Sequence, residues 1–458
     1  MKILFCNPKN SQGTIHSRKG MYPPLGLLSI ATVLKVNLGN SVDIEICDED
    51  VEDIDFESFR NFDIIGFYST TFNYYNCVKY AIEAKNCGAL TILGGPHPTI
   101  LYENIMRNQE CFDFTIKFEG EIPCLKLVRA ILDKKDFTDI PNLVFKDNGK
   151  VVSNHHSHEN NLEELPIPQR SIIQFERYIE NFKSMYPERM HIRPGSIYSS
   201  KGCFWRDKTG GCVFCARLET GVRFRSIDQI WKEAQLLKGN YGVNSIWDIS
   251  DDNLNNREWF KNFVERRPSS CSDLSFFLYS RISFIKSDII DFFKELNVEE
   301  VFLGVESGDD KLLKDASKGQ TSESTIRAVK LLRDNNIKYF PSFVLGLPGE
   351  TEASIENTFN LCKKMSDIGG LDRIGCTILQ PIPGSKAFDI LLDDDVIGND
   401  LKKMDIIDLF QLEEYWIEKF TNVDYEIVVN KRSEFNKLFK NYIVFGSPED
   451  EKRKAGTC

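Results

Sequence analysis

Two successive runs of short, almost wholly apolar strands separated by helical stretches constrain this chain more than any other feature. A strand that reads as continuous apolar sequence is buried on both faces, and a parallel sheet flanked by helices buries it so. The first run holds KILFCN from Lys2, VDIEIC from Val42, DIIGFYST from Asp63, ALTILGG from Ala89 and FDFTIKFEGE from Phe112. Helical patterns such as LGLLSIATVLK and YYNCVKYAIEAKNCG lie between them. An α/β, doubly wound parallel sheet over 1–135 is expected. Ligands of such sheets bind at the carboxyl ends of the strands. Three loops leave those ends: Ser69-Thr70-Thr71, then Gly94-Gly95-Pro96-His97, then Glu119-Gly120-Glu121.

Residues 136–195 read as a connector. NLVFKDNGKVVS has hairpin character with Asn148-Gly149 at its turn, and ELPIPQRS is too rich in proline for a helix. A second alternation starts at Ser196 and runs through SIYSS, VNSIWDIS, LSFFLYSRIS, EEVFLGVESG, KYFPSFVLGLPGE and RIGCTILQPIPG. Six strand–helix rounds over 196–392 predict a partial (β/α)6 barrel, open on one side, with its chemistry at the carboxyl ends of its strands by analogy with closed barrels. Residues 393–458, rich in Asp, Lys and Phe, read as a small, mainly helical C-terminal region.

Of the 13 cysteines, most are scattered through apolar stretches and read as core residues of a chain in a reducing compartment. Three are gathered in KGCFWRDKTGGCVFC, after the first strand of the second run: Cys203, Cys212 and Cys215. Three thiolates on a 4Fe-4S cubane leave one iron open to a small molecule. The alternative is a zinc site of three cysteines closed by a histidine, drawn from His191 or from HHSH at 155–158. The formal net charge of -11 offers no overall basic field for nucleic acid. No apolar run approaches a membrane span, and MKILFCNPKN enters a strand at once rather than a leader-like pattern. A cytoplasmic location without nucleic-acid or membrane partners is expected.

Taken in order, PPLGLLSIATVL, ILGGPHPT, the cysteine loop, VRFRS, GVESG, GLPGET and QPIPGS resemble the cobalamin-dependent radical S-adenosylmethionine (radical SAM) enzymes, up to about residue 390. One departure is the cysteine spacing: eight residues separate Cys203 from Cys212 where the family has three. Gly210-Gly211 permits the return of the longer loop, whose Trp205, Arg206 and Lys208 are expected mostly at the surface.

The resemblance implies a cobalamin-binding domain followed by a radical SAM barrel. It implies a 4Fe-4S cluster on Cys203, Cys212 and Cys215, with SAM on the open iron. It places Phe214 near adenine, Asp251 and Asp252 at the SAM amino end, and Arg281 at its carboxylate. Glu306 and Ser307 become the ribose- and carboxylate-binding pair, Gly346 and Gly349 a backbone approach to the adenosyl group, and Gln380 with Pro381 a border to adenine or substrate. Read without it, the aspartates serve equally as loop acids or helix caps and the glycines as turn residues. Ser69, Thr70, Thr71, Gly94, Gly95, Pro96, His97, Glu119, Gly120 and Glu121 become cobalamin contacts.

The implied reaction is methyl transfer from methylcobalamin to an unactivated carbon of a small-molecule or natural-product substrate, with electrons from a reductant such as flavodoxin or ferredoxin. Rearrangement, ring contraction or oxidative cyclisation without methyl transfer is the alternative, and a non-catalytic cobalamin carrier or sensor a third. None of the six histidines stands in D-x-H-x-x-G, so cobalamin bound base-off without a histidine ligand is expected. Electron paramagnetic resonance of the Co(II) form should then show no nitrogen hyperfine splitting, and a splitting would refute that expectation.

Overall fold

The computed structural model describes residues 1–12, 20–157, 161–216, 218–439 and 443–445. His158 of the HHSH run and most residues after 439 lie outside the described set. The first sheet contains β1 (Lys2–Asn7), β2 (Asp43–Asp48), β3 (Ile64–Tyr68), β4 (Leu90–Gly94) and β5 (Phe114–Ile116), all parallel, in the order β2-β1-β3-β4-β5. Alternate residues of β1 serve opposite faces, as a strand's period of two requires. Ile3 and Phe5 join the core under the helices Leu25–Leu38 and Glu121–Asp133, while Leu4 and Cys6 join the core under Tyr74–Asn86 and Pro96–Asn108. The sheet is therefore doubly wound.

The hairpin of the connector extends this sheet: β6 (Leu143–Asp147) pairs antiparallel with β5, and β7 (Lys150–Ser153) with β6. Its turn residues Asn148 and Gly149 have φ of 48° and 76°. Two positive φ values are what a two-residue I′ turn needs.

The second sheet is wholly parallel, in the order β8 (Pro194–Ile197), β11 (Ser245–Asp248), β12 (Ser275–Arg281), β13 (Val298–Glu306), β14 (Lys338–Leu345), β15 (Arg373–Ile378) and β16 (Ile443–Phe445). Its first six strands form the expected partial barrel. A seventh, β16, comes from the C-terminal region and covers the edge of β15. Between β8 and β11 a two-residue ladder joins β9 (Ser200–Lys201) to β10 (Arg223–Phe224). Helices between the strands start at side-chain caps: Ser226, Asn256, Thr321 and Thr351 each accept from a backbone N–H of the first turn.

The amino ends of the strands form a sealed floor. Arg373 is 1% exposed, paired through Nε with Glu300 at 3.0 Å, and within about 5 Å of the rings of Phe277 and Phe340. Arg189, from the connector, reaches the same Glu300 at 2.8 Å. Among the described residues no helix is long and apolar enough to cross a membrane.

The C-terminal helices Leu409–Phe420 and Tyr425–Leu438 cover the far ends of β14 and β15. Trp416 Nε1 donates to the carbonyl of Gly346 at 2.9 Å, and Ile417 fills the place a side chain would take at Gly346, whose φ is 88°. Beneath this turn Glu350 is fully buried. One carboxylate oxygen accepts from the N–H groups of Gly346 and Leu347, and the other has no partner among the described residues. Burial pushes its carboxyl up to about 8, against the two backbone hydrogen bonds. The folded chain thus holds this proton more tightly than the unfolded one, whose glutamates titrate near ~4.3. The resulting stability is complete below that range and is lost as pH rises through about 8. Glu350→Gln should remove this slope, so that the variant gains on the parent steadily between about pH 5 and pH 8 in urea unfolding midpoints. A constant difference across that range would refute the account.

Candidate active site where the two sheets meet

The carboxyl ends of β3, β4 and β5 open into a cavity of about 560 Å³. Glycines form part of its wall: Gly94 and Gly95 leave β4, and Gly120 follows β5. Gly26, on the helix Leu25–Leu38, faces it with nothing within 4 Å of where a Cβ would stand. Gly95 has φ 114°, and a Cβ there would collide with the carbonyl of Ser69. Farther in, Leu27, Ile30, Ile92 and Cys124 make the lining apolar. A broad ligand with an apolar part fits such a cradle, since glycines let it reach the backbone and apolar side chains line much of the space.

Glu119 and Glu121 also reach this cavity. Burial opposes charge on Glu119, but hydrogen bonds from Arg223 and Lys201 outweigh it and hold the carboxyl down to about 2. Glu121 is buried and accepts from Ser29 Oγ at 3.0 Å.

Four residues expected at the cobalamin site are not in this wall. Ser69 is buried, its N–H on the Gly94 carbonyl at 2.7 Å. Thr70 N–H donates to Asn73 Oδ1 at 2.8 Å. His97 is 1% exposed, its ring nitrogens 3.1 Å from Thr71 Oγ1 and 2.9 Å from the carbonyl of Asp405, and it stacks on Tyr74. Burial lowers its pKa to about 4, against the hydrogen bond at Asp405, so the ring is neutral. Ser69, Thr70, Thr71 and His97 build the turn behind the cavity. Their partners come from residue 405 as well as from neighbours, which a local pattern cannot reveal.

The cysteine loop hangs from the β9–β10 ladder. Cys203 precedes a short helix, Phe204–Thr209, which takes up the eight-residue spacing, and Gly210 and Gly211 leave it with φ of 78° and 89°. Cys215 N–H turns back to the carbonyl of Cys212 at 3.1 Å. Trp205 is half-buried rather than exposed. Its Nε1 donates to the Ser317 carbonyl at 2.6 Å, its ring lies 4.5 Å from the Arg281 guanidinium, and Gly319 leaves room for it. Arg206 is half-buried and Lys208 exposed. No three His, Cys, Asp or Glu side chains among the described residues are gathered to hold a single metal ion. A cubane spreads its ligands over separate corners, and three thiols on one loop are the donor set it takes.

Around this loop the barrel strands deliver charge. Asp252 is fully buried, with Oδ1 accepting from Leu254 N–H at 3.0 Å and Oδ2 without a partner among the described residues. Burial raises its pKa to about 7, against the Leu254 hydrogen bond and the charges of Arg281 and Lys318. Asp251 beside it is half-buried. Arg281 Nη1 stands 3.8 Å from Cys212 Sγ, Nη2 donates to the Lys318 carbonyl, and buried Nε has no partner among the described residues. Glu306 holds φ at 68°, unusual for a side chain with a Cβ, and pairs with Lys318 Nζ at 2.6 Å. Only a glycine at 304 leaves space for that pair. Lys318 also stands 5.8 Å above the Phe214 ring.

Cys212, Phe214, Asp252, Arg281 and Glu306 are thus neighbours, linked by Lys318, which the sequence reading missed. Its only signal was S-K-G-Q-T just before the capping Thr321. Three expected residues face elsewhere. Ser307 Oγ meets Thr358 Oγ1 at 3.2 Å, Gln380 Nε2 donates to buried Glu413 at 2.8 Å, and Gly346 lies under Ile417.

Comparison with known proteins agrees with this two-part layout. The family model of the B12 binding domain matches residues 12–128, and that of the radical SAM superfamily matches residues 197–362. An uncharacterized methyltransferase of Pyrococcus horikoshii is 27% identical over 87% of this chain and 84% of its own length. The anaerobic magnesium-protoporphyrin IX monomethyl ester cyclase of Rubrivivax gelatinosus is 26% identical over 86% and 70%. The fold is shared with the radical S-adenosylmethionine methyltransferase TsrM of Kitasatospora setae, solved with cobalamin and a 4Fe-4S cluster, at a TM-score of 0.67 and 16% identity over 84% of this chain and 76% of that one. With a B12-binding sheet and a radical SAM half-barrel in that order, the chain belongs to the cobalamin-dependent radical SAM enzymes.

Proposed function

We propose that this enzyme transfers a methyl group to an unactivated carbon of a small molecule, and that its cofactors are a 4Fe-4S cluster, SAM and cobalamin. One observation carries the reading. A single cavity is walled on one side by the glycine loops of the first sheet and on the other by Ala216, Leu218 and Thr220, which directly follow Cys215. The cofactors, when bound, supply a methyl donor and a carbon-centred radical that makes the substrate carbon reactive.

Everything else falls to the chain. Cys203, Cys212 and Cys215 are the cluster ligands. Asp252, with a buried oxygen unpartnered among the described residues, suits the SAM ammonium, with Asp251 next to it. Arg281 and Lys318 suit its carboxylate, with Glu306 holding Lys318 in place, and Phe214 lies where an adenine ring can stack. Gly94, Gly95, Pro96 and Gly120 cradle cobalamin. The largely apolar lining leaves few groups to hold water in the cavity.

A donor protein such as flavodoxin or ferredoxin would supply electrons. None of the twelve described cysteines is in a disulfide, as a reducing cytoplasm would keep them. The methyltransferase of P. horikoshii supports methyl transfer. The second reading, radical cyclisation without it, is supported by the cyclase of R. gelatinosus, which covers nearly the same share of the chain.

SAM carrying a deuterated methyl group separates the two. Methyl transfer should give a product three mass units heavier per methyl by mass spectrometry, together with S-adenosylhomocysteine and 5′-deoxyadenosine. Deoxyadenosine and an altered product without label would establish the second reading. Cys212→Ala should abolish deoxyadenosine formation while the protein still takes up cobalamin.

A further inference from the structure

The carboxylate of Glu119 is gripped from both stems of the cysteine loop. Lys201 Nζ lies 2.9 Å from Oε1 and Arg223 Nη1 lies 2.9 Å from Oε2. Lys201 and Arg223 are register partners across the β9–β10 ladder, which closes the base of the loop. One side chain of the first domain therefore holds the loop where it leaves and where it returns. The contact is sheltered, with side-chain exposures of 12% for Glu119, 20% for Lys201 and 10% for Arg223. Lys201 also reaches Glu121 at 3.5 Å, and Glu121 is anchored to Ser29 on the helix Leu25–Leu38. All of these but Ser29 border the cavity.

A carboxylate engaged on both oxygens is poorly placed to be a ligand contact, although the family resemblance had suggested one. Its geometry suits a different task. The three thiols hang from the ladder, and the residues just after Cys215 form the outer wall of the cavity, so whatever fixes the ladder fixes the spacing between the two walls. We propose that Glu119 is a positioning residue that sets the cysteine loop over the cobalamin cavity, and so sets the distance from cobalt to cluster. The proposal rests on the cofactor reading given above. A charged clamp suits this role better than an apolar contact, because two opposed cations on one carboxylate define a direction as well as a separation.

The test uses the full chain loaded anaerobically with iron, sulfide and hydroxocobalamin, then reduced until cobalt(II) and the cluster are both paramagnetic. Pulsed electron paramagnetic resonance reads the distance between them, and absorbance reads the rate of cobalamin release. Glu119→Gln keeps the size of the side chain and removes its charge. It should retain the parent's iron content, broaden and lengthen the distance distribution, and release cobalamin about tenfold faster, since loss of a sheltered charge pair acts mainly on dissociation. Arg223→Met attacks the clamp from the loop side and should act in the same direction but less, which also covers the case of a Glu119 variant that does not fold. Parent-like distances and release rates in the variants would overturn the proposal while leaving the cofactor assignment intact. A parent protein that takes up no cobalamin, or no cluster, would overturn both.

Discussion

The structure depends on keeping one carboxylate, Glu300, buried between two arginines. It lies on the central strand β13 and is 1% exposed. Arg373 binds it from β15, and Arg189 from the connector between the sheets. Removing one partner of a buried ion pair costs about 3–5 kcal/mol, because the charge left behind has lost its water. The group therefore fixes three distant segments at once. The Arg373 guanidinium also sits within 6 Å of four aromatic rings on β11, β12, β14 and the connector. This closed floor leaves the carboxyl ends of the barrel strands as the open side.

That asymmetry decides where chemistry can happen. In both sheets the parallel strands run toward the same interface, and the loops that leave them supply its walls. The first sheet gives the cavity glycine backbone and apolar side chains, and the second gathers Asp252, Arg281, Glu306 and Lys318 beside Cys212 and Phe214, outside the cavity lining. The division is physical. A large flat cofactor is best bound by surface that yields to its shape, whereas an amino acid headgroup needs charges of both signs at fixed distances. Glu306 in a left-handed conformation shows how firmly the second set is held.

Much of this was legible in the chain. All eleven parallel strands expected from apolar runs are present, because each is buried on both faces and local sequence records that burial directly. The cysteine triplet and the glycine loops also stand out in the sequence, and the fold places them at the ends of neighbouring strands. What escaped was set by partners distant in sequence. His97 reads as a ligand in GGPHPT, yet Asp405 claims one ring nitrogen. Gly346 reads as room for a nucleoside, yet Ile417 occupies it. Trp205 reads as an insertion at the surface, yet Ser317 and Arg281 draw it in. A local pattern gives the shape of a site and not its occupant when a later segment folds back over it.

The C-terminal region explains two of those three surprises, and its reach suggests why it is retained beyond the barrel. Asp405 accepts from Tyr74 at 2.7 Å, while Asn104 binds the carbonyls at 402 and 404, all on helices of the first domain. Eight and eleven residues after Asp405, Glu413 and Trp416 bind the ends of β15 and β14. One segment thus binds both sheets through residues other than those of the Glu119 clamp. Two sheets joined at a single point can still pivot about it. Joined at two separated points they cannot, and a cavity shared between them keeps its width. Polar tethers serve here because each bond has a direction, whereas apolar contacts alone would let the sheets slide at little cost.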